Sequence, residues 1–397
     1  MKKTLLIVSH ALELGGAERS LIGLLDALNP DEWDIDLFLL RHEGELLGAI
    51  PEYINLLPQV AAYTVLARPM VDTLKEGHLV LTSARLLGKV FAKVYEKKHK
   101  LTDSGVGLEY SHKFTCPFMP EINKNKEYDL AISFLTPHYF VAKKVRAKKK
   151  IAWIHTDYTH VQINVESERK MWGVYDKIAS ISDSATDAFL KVFPDFKDKV
   201  LLIENILPKS LIEKQAEEKV TDIKKAADEI TLLSVGRFCL AKNFDNVPDM
   251  CAHLLRYGLN VKWYLIGYGG FESLIRQKIK ENNMEKNVII LGKKTNPYPY
   301  IKECDIYVQP SRYEGKCVTV REAQMLKKPV VITRYATSNS QLEDGVDGII
   351  VPMDNEGCAK GILEVIRNYK LQKSLVENCS KRDYSNSKEV NKLSLLV

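Results

Sequence analysis

This sequence predicts an α/β protein made of two doubly wound parallel-sheet domains facing a cleft, and three observations carry that expectation. Short apolar runs bounded by polar, Gly or Pro residues recur along the chain, and segments with helical spacing separate most of them. The length, 397 residues, suits two domains of ordinary size. A strongly charged stretch at residues 214–229 divides the series in two.

In chain order, residues 4–9 read as a buried parallel strand, residues 17–28 as an amphipathic helix and residues 33–40 as a second strand. Gly15 and Gly16 lie between the first strand and the helix, where a tight turn calls for glycine. The pattern is not Gly-x-Gly-x-x-Gly and no ribose-binding acid follows at the usual distance, which disfavours a dinucleotide site. Asp34 and Asp36 open the second strand and read as structural. Residues 46–120 show little strand signal but contain a basic amphipathic helix at 84–100. There Arg85, Lys89, Lys93 and Lys97 recur every four residues beside an apolar face of Leu86, Leu87, Val90, Phe91 and Val94. A second cationic run spans residues 143–150. Two readings stand side by side: a solvated helix whose apolar side packs on the domain, or attraction to an anionic bilayer surface or a diphosphate-linked acceptor. Nucleic acid is disfavoured, because no binding motif and no regular interleaving of aromatic residues accompanies the charge.

Residues 128–134, 150–155 and 177–182 are three further strand-like runs ending in polar residues, and an open parallel sheet places ligands at such ends. His155 stands at one of them. Residues 201–208 leave the first domain. A second series follows at 230–235, 261–266, 288–291, 305–308, 329–333 and 348–351. The expected organisation is a first α/β domain at 1–205, a linker at 206–228 and a second α/β domain at 229–375. A tail at 376–397 is expected to return to the first domain.

A 45% hydrophobic and 27% charged content describes a soluble globular protein, and the net charge of +6 is modest. The apolar run at residues 5–8 is too short for a spanning helix or a signal sequence, so a cytoplasmic chain is expected, with peripheral contact at the inner face of the plasma membrane. Seven scattered Cys without a Cys-x-x-Cys pair support neither a disulfide framework nor a zinc site.

The stretch 307–329 reads as strand, loop and helix and holds Glu314 and Glu322, eight residues apart. Along a helix that spacing is about 12 Å. This is roughly the separation of sugar and ribose in a sugar nucleotide, with an anion-attracting helix N-terminus between them. The first strand of the second series runs into Gly236, Arg237 and Lys242. The Gly permits close approach, the Arg offers a forked donor and the Lys a mobile charge for phosphate. A single charged residue is most often only solvated. The combination Pro310-Ser311, Glu314-Gly315, Glu322-Ala323 and Lys328-Pro329-Val330-Val331 is more specific: it resembles glycosyltransferase family 4, retaining enzymes of the GT-B fold.

The resemblance implies that Glu314 holds the donor sugar and shields its cationic centre, and that Glu322 binds the ribose. It also implies that backbone amides of Gly315, Lys316, Cys317 and Val318 touch sugar and phosphate, and that Arg237 and Lys242 clamp the diphosphate. Gly15 and Gly16 match the family's N-terminal loop over the donor phosphates, Ser182 a strand-end Ser, and residues 267–270 its glycine loop, read as mainly structural. His155 matches a His at the donor sugar, but the acid usually next to it is displaced to Asp157. Lys316-Cys317 and Lys328 replace the family's usual residues, and Asn243 stands where a Gly is usual. The implied function is metal-independent, retaining transfer from a nucleotide-sugar, UDP-sugars favoured, to a saccharide or lipid-diphosphate-linked acceptor in cell-surface polysaccharide biosynthesis, without a cofactor. The alternatives are a non-catalytic sugar-nucleotide or lipid-binding protein, a glycoside hydrolase, whose two carboxylates would flank one bond at about 5–10 Å, and a nicotinamide-dependent oxidoreductase.

Overall fold

A computed structural model describes residues 2–13, 15–101, 104–156, 158, 161–223, 226, 228–314 and 316–397, with Ala67 described by its backbone alone. The chain folds as two compact units, Met1–Ile206 with Asn386–Val397, and Leu207–Ser385. Residues 207–228 thus belong to the second unit, and the last twelve residues to the first.

The first unit is a seven-stranded sheet in the order β3-β2-β1-β4-β5-β6-β7, with every pairing parallel. Its strands are β1 (Lys3–Ser9), β2 (Trp33–Leu39), β3 (Asn55–Leu56), β4 (Tyr128–Ser133), β5 (Ala147–Ile154), β6 (Lys177–Ser180) and β7 (Val200–Leu202). The inner strands are near-continuous apolar runs because helices cover both faces of such a sheet; Leu5, Leu6, Ile7, Leu130 and Ile132 are fully buried. β3 and β7, of two and three residues, are too short to leave a periodic signal. Asp36 is structural: buried in β2, it accepts from Asn55 at 2.7 Å and from the Tyr128 hydroxyl, and pairs with Lys126 at 3.1 Å.

Helix α1 (Gly16–Ala27) follows β1. Helices α2 (Leu79–His99) and α3 (Val106–Thr115) form a hairpin, and here the structure corrects the sequence reading. The apolar companion face of α2 does not pack inward. Leu86, Leu87, Val90, Phe91 and Val94 are exposed, while Ala84, Gly88 and Ala92 are buried. Small residues four apart make a flat strip that lets α3 approach closely; a Cβ on Gly88 would lie 2.8 Å from the Tyr110 carbonyl oxygen. Arg85, expected on the basic face, is buried and donates to the carbonyls of Val65 and Arg68. Gly88→Ala should therefore destabilise the first unit by about 1–3 kcal/mol through overpacking. An ordinary helical Gly→Ala change gains about 1 kcal/mol instead. Denaturant unfolding reads the sign directly.

The second unit is a six-stranded, all-parallel sheet in the order β10-β9-β8-β11-β12-β13. It comprises β8 (Ile230–Val235), β9 (Val261–Ile266), β10 (Val288–Gly292), β11 (Ile306–Gln309), β12 (Val330–Thr333) and β13 (Ile349–Val351). Trp263 and Tyr307 are fully buried on it. Strand order reverses between β8 and β11, which pair through Ile306 with Leu232 and Tyr307 with Leu233. In an open parallel sheet the crevice at such a reversal, beyond the carboxyl ends, is where ligands bind. No helix among the described residues is long and apolar enough to cross a membrane.

Candidate functional site

The loops leaving β8 and β11 flank that crevice, and the residues singled out by the sequence lie on them. β8 ends at Val235 and passes into Gly236, whose N–H donates to the Ile266 carbonyl at 2.9 Å. β11 ends at Gln309, and Pro310, which has no N–H to extend the ladder, turns the chain out. Asn243 has φ +60°, the left-handed conformation that Gly or Asn adopts most readily. Its amide also donates to the Pro310 carbonyl at 2.9 Å, a tie between the two loops that Gly could not make. A second tie is the forked pair of Arg312 to Asp245, at 2.9 and 2.7 Å.

Between these ties the Lys242 ammonium meets the Glu314 carboxylate at 2.5 Å, their side chains 17% and 11% exposed. Lys242 also reaches the Cys317 sulfur at 3.7 Å, which uses two of its three donors. Burial disfavours charge on Lys242, but Cys317 and Glu314 outweigh it and hold its pKa above the usual lysine range. Burial likewise pushes the Cys317 thiol up, against the pull of Lys242. Ser311 donates to the same Glu314 oxygen at 2.6 Å and is held by Gln309 at 2.9 Å, while Thr337 donates to the Glu314 carbonyl at 2.7 Å. The expected separate roles of Lys242 on phosphate and Glu314 on sugar thus begin from a direct contact between the two. Gln341 brackets Cys317, accepting from its N–H at 2.7 Å and donating to its carbonyl at 3.1 Å. Ser311, Thr337 and Gln341 carried no signal in the sequence beyond the Pro-Ser step.

Helix α4 (Val318–Met325) begins only after Cys317, so Glu322 lies on it and Glu314 does not. The two acids do not share one helix, and the helical spacing estimate does not apply between them. The N-cap residue of α4, Cys317, makes no side-chain cap hydrogen bond within the usual geometry. Glu322 is fully buried and accepts from the Tyr298 hydroxyl at 3.1 Å. Arg237 is exposed and has no hydrogen-bond or ion-pair partner among the described residues. Lys316 is partly buried, and Gly315 lies outside the described residues.

The glycine loop after β9 braces Gly236–Phe238. A Cβ on Gly267 would lie 1.9 Å from the Gly236 carbonyl oxygen, and one on Gly269 2.4 Å from that of Phe238, at φ +154° and +151°.

Gly15, Gly16 and His155 belong to the first unit. Gly15 caps α1 with φ −133°, and a Cβ on Gly16 would meet nothing within 4 Å. The tight-turn reason for this pair does not hold; what the position offers is an N-terminus without a side-chain cap. His155, after β5, packs on Phe134 with ring centroids 4.6 Å apart, and its Nε2 has no hydrogen-bond partner among the described residues. Burial pushes its pKa down to about 3, so it is neutral at physiological pH. Asp157 lies outside the described residues. Ser182 caps the helix Asp183–Val192, accepting from the Ala185 N–H at 3.1 Å. Sequence reasoning missed His10, partly buried directly after β1, and His138, fully buried in the loop that follows β4; desolvation, with the Arg41 charge beside it, holds His10 down to about 4, and burial lowers His138 as well.

Two all-parallel α/β units, each built on a doubly wound sheet, match the GT-B fold of the solved structures described below. Residues 215–382 match the family model of glycosyl transferases group 1. The second unit therefore belongs to the group 1 glycosyltransferases. The chain is 27% identical over 137 residues to a poly(ribitol-phosphate) alpha-N-acetylglucosaminyltransferase of Staphylococcus aureus, covering 34% of this chain and 28% of that one. It is 30% identical over 158 residues to an N-acetylgalactosamine-N,N'-diacetylbacillosaminyl-diphospho-undecaprenol 4-alpha-N-acetylgalactosaminyltransferase of Campylobacter jejuni, covering 38% and 42%. These matches span less than half the length of either relative. In fold it is similar to the Anabaena protein HepE, solved with UDP and glucose, at TM-score 0.64 and 16% identity over 98% of both chains.

Proposed function

We propose that the chain transfers a sugar from a nucleotide-sugar, a UDP-sugar above others, to a saccharide or lipid-diphosphate-linked acceptor in cell-surface polysaccharide biosynthesis, working in the cytoplasm at the inner face of the plasma membrane. The observation that carries this reading is the Lys242–Glu314 pair, held by two loops at the strand reversal of the donor-side unit. The activities of the two named relatives and the UDP of the Anabaena complex support the donor class.

In this reading Arg237, the third donor of Lys242 and the N-terminus of α4 take the diphosphate. They offset the charge that develops on it as the glycosidic bond breaks, without a divalent ion or other cofactor. Glu314, its Oε1 fixed by Lys242 and Ser311, offers its other oxygen to the sugar hydroxyls and to the cationic anomeric centre. Glu322 takes the ribose. His155, neutral, exchanges a hydrogen bond with the donor sugar. Transfer retains configuration, the departing phosphate accepting the acceptor's proton on the face that it leaves.

The test is a donor screen: melting with UDP, GDP and their sugar conjugates, followed by assay of UDP release with acceptor. A donor at a hundred times its Kd should stabilise the fold by about 2.7 kcal/mol, and Arg237→Ala should cost diphosphate affinity about 10- to 100-fold, as for one charge-assisted contact of about 1.5–3 kcal/mol. Stabilisation without turnover for any acceptor supports the binding-protein alternative. No stabilisation by any nucleotide overturns both readings.

A further inference from the structure

The hairpin of α2 and α3 displays the side of α2 that an amphipathic helix ordinarily hides. Leu86, Leu87, Val90, Phe91 and Val94 are between 49% and 60% exposed, and Leu108 on α3 and Phe118 beyond it are exposed as well. An apolar groove of ≈ 700 Å³ runs beside them, lined chiefly by Leu79, Val80, Leu87, Phe114, Pro117 and Phe118. Soluble monomers rarely leave so much contiguous apolar surface uncovered. Exposed Lys89, Lys93, Lys97 and Lys98 are interleaved with the apolar residues. The one acid of α2, Glu96, is turned to the Ser104 hydroxyl at 2.5 Å.

We propose that this face seats on an anionic bilayer, with the α2 axis in the plane of the interface, the apolar side chains at the headgroup–acyl boundary and the lysines on lipid phosphates. Apolar side chains flanked by lysines are the composition of a helix that lies in an interface. A second copy is the poorer occupant, because two such faces would bring like lysine charges together. Nucleic acid is poorer still, since it offers nothing to the apolar groove. The proposal deepens the membrane contact in the function above and rests on that reading only for the purpose of the contact. It brings a lipid-linked acceptor and the enzyme into one plane, through residues that have no part in the donor site.

Sedimentation of the full chain with phosphatidylcholine vesicles, with and without phosphatidylglycerol, tests it without any substrate. Binding should require the anionic lipid and weaken with salt. Lys89→Ala with Lys93→Ala should weaken it about 25-fold, at about fivefold for each lysine. Phe91→Asp should weaken it at least as much. Lys89 and Lys93 are exposed, so their double substitution should leave melting temperature and UDP-induced stabilisation at wild-type values; Phe91 stacks on Phe114 with ring centroids 5.3 Å apart, so Phe91→Asp is compared below its own melting temperature, with UDP-induced stabilisation as the check on the fold. Equal binding to neutral vesicles, or no binding to either kind, overturns the proposal. So does a dimer in sedimentation equilibrium that Phe91→Asp dissociates, because a second copy would then cover the face.

Discussion

Lys242→Ala is expected to lower transfer by about 10²- to 10³-fold, the loss typical of removing one preorganised electrostatic group from a site of developing charge. The same substitution leaves the Glu314 carboxylate, 11% exposed, without the ammonium 2.5 Å away. Breaking a largely buried pair from one side costs about 3–5 kcal/mol, so the second unit should also melt earlier. Glu314→Gln separates the two effects. It keeps the shape and an oxygen for Ser311, removes the charge that the proposed mechanism directs at the sugar, and leaves Lys242 more available to phosphate. UDP affinity should hold within threefold or rise while turnover falls by a similar factor of about 10²–10³. A Kd for UDP and single-turnover rates for both variants decide the matter. If Glu314→Gln transfers sugar at more than a tenth of the wild-type rate, Glu314 does not act on the donor's reacting centre.

The pair shows what the sequence could and could not reveal. Gly236, Arg237, Lys242 and Glu314 were each legible because a strand, a loop and a helix in that order leave a compositional trace. Their contact was not legible. Lys242 and Glu314 are 72 positions apart, and β8 and β11 become neighbours only because the chain adds β9 and β10 on the other side of β8. Asn243 was legible as a substitute for Gly in backbone terms, but not as the donor that ties the loops through Pro310. The α2 hairpin failed in the opposite direction. Period and polarity identified the helix but left two readings for its larger apolar residues, and the one that packs them on the domain does not hold, because Ala84, Gly88 and Ala92 form the strip that α3 meets. Residues 46–120 resisted reading for a related reason: apart from the two-residue β3, this stretch is built from helices and turns that pack by local fit and not by alternation.

Gly267→Ala is expected to be among the most damaging single-methyl additions in the second unit. Its φ of +154° is closed to L side chains, and the new Cβ would fall 1.9 Å from the Gly236 carbonyl oxygen, far inside contact distance. Backbone cannot yield as a flexible side chain would. The Gly236 N–H is already committed to Ile266, the Gly267 N–H to Gly292 and the Phe238 N–H to Tyr268, at 2.9, 2.9 and 2.8 Å. To admit the methyl, the loop after β9 must move away from the loop after β8, and Gly236 and Arg237 then lose the bracing that sets their height above the sheet. A loss of about 3 kcal/mol or more follows from strain together with overpacking, which lowers the melting temperature by roughly 6–12 °C at about 2–4 °C per kcal/mol. Gly270→Ala is the internal control: three residues away in the same loop, its Cβ would meet nothing within 4 Å, and φ there is not positive. It should melt with the wild type and bind UDP as well. Gly267→Ala should bind UDP at least tenfold more weakly even below its melting temperature, because displacement of Arg237 precedes unfolding. Equal melting of the two variants would mean that the β9 loop does not brace the phosphate loop, and that Arg237 is positioned by something other than Gly267.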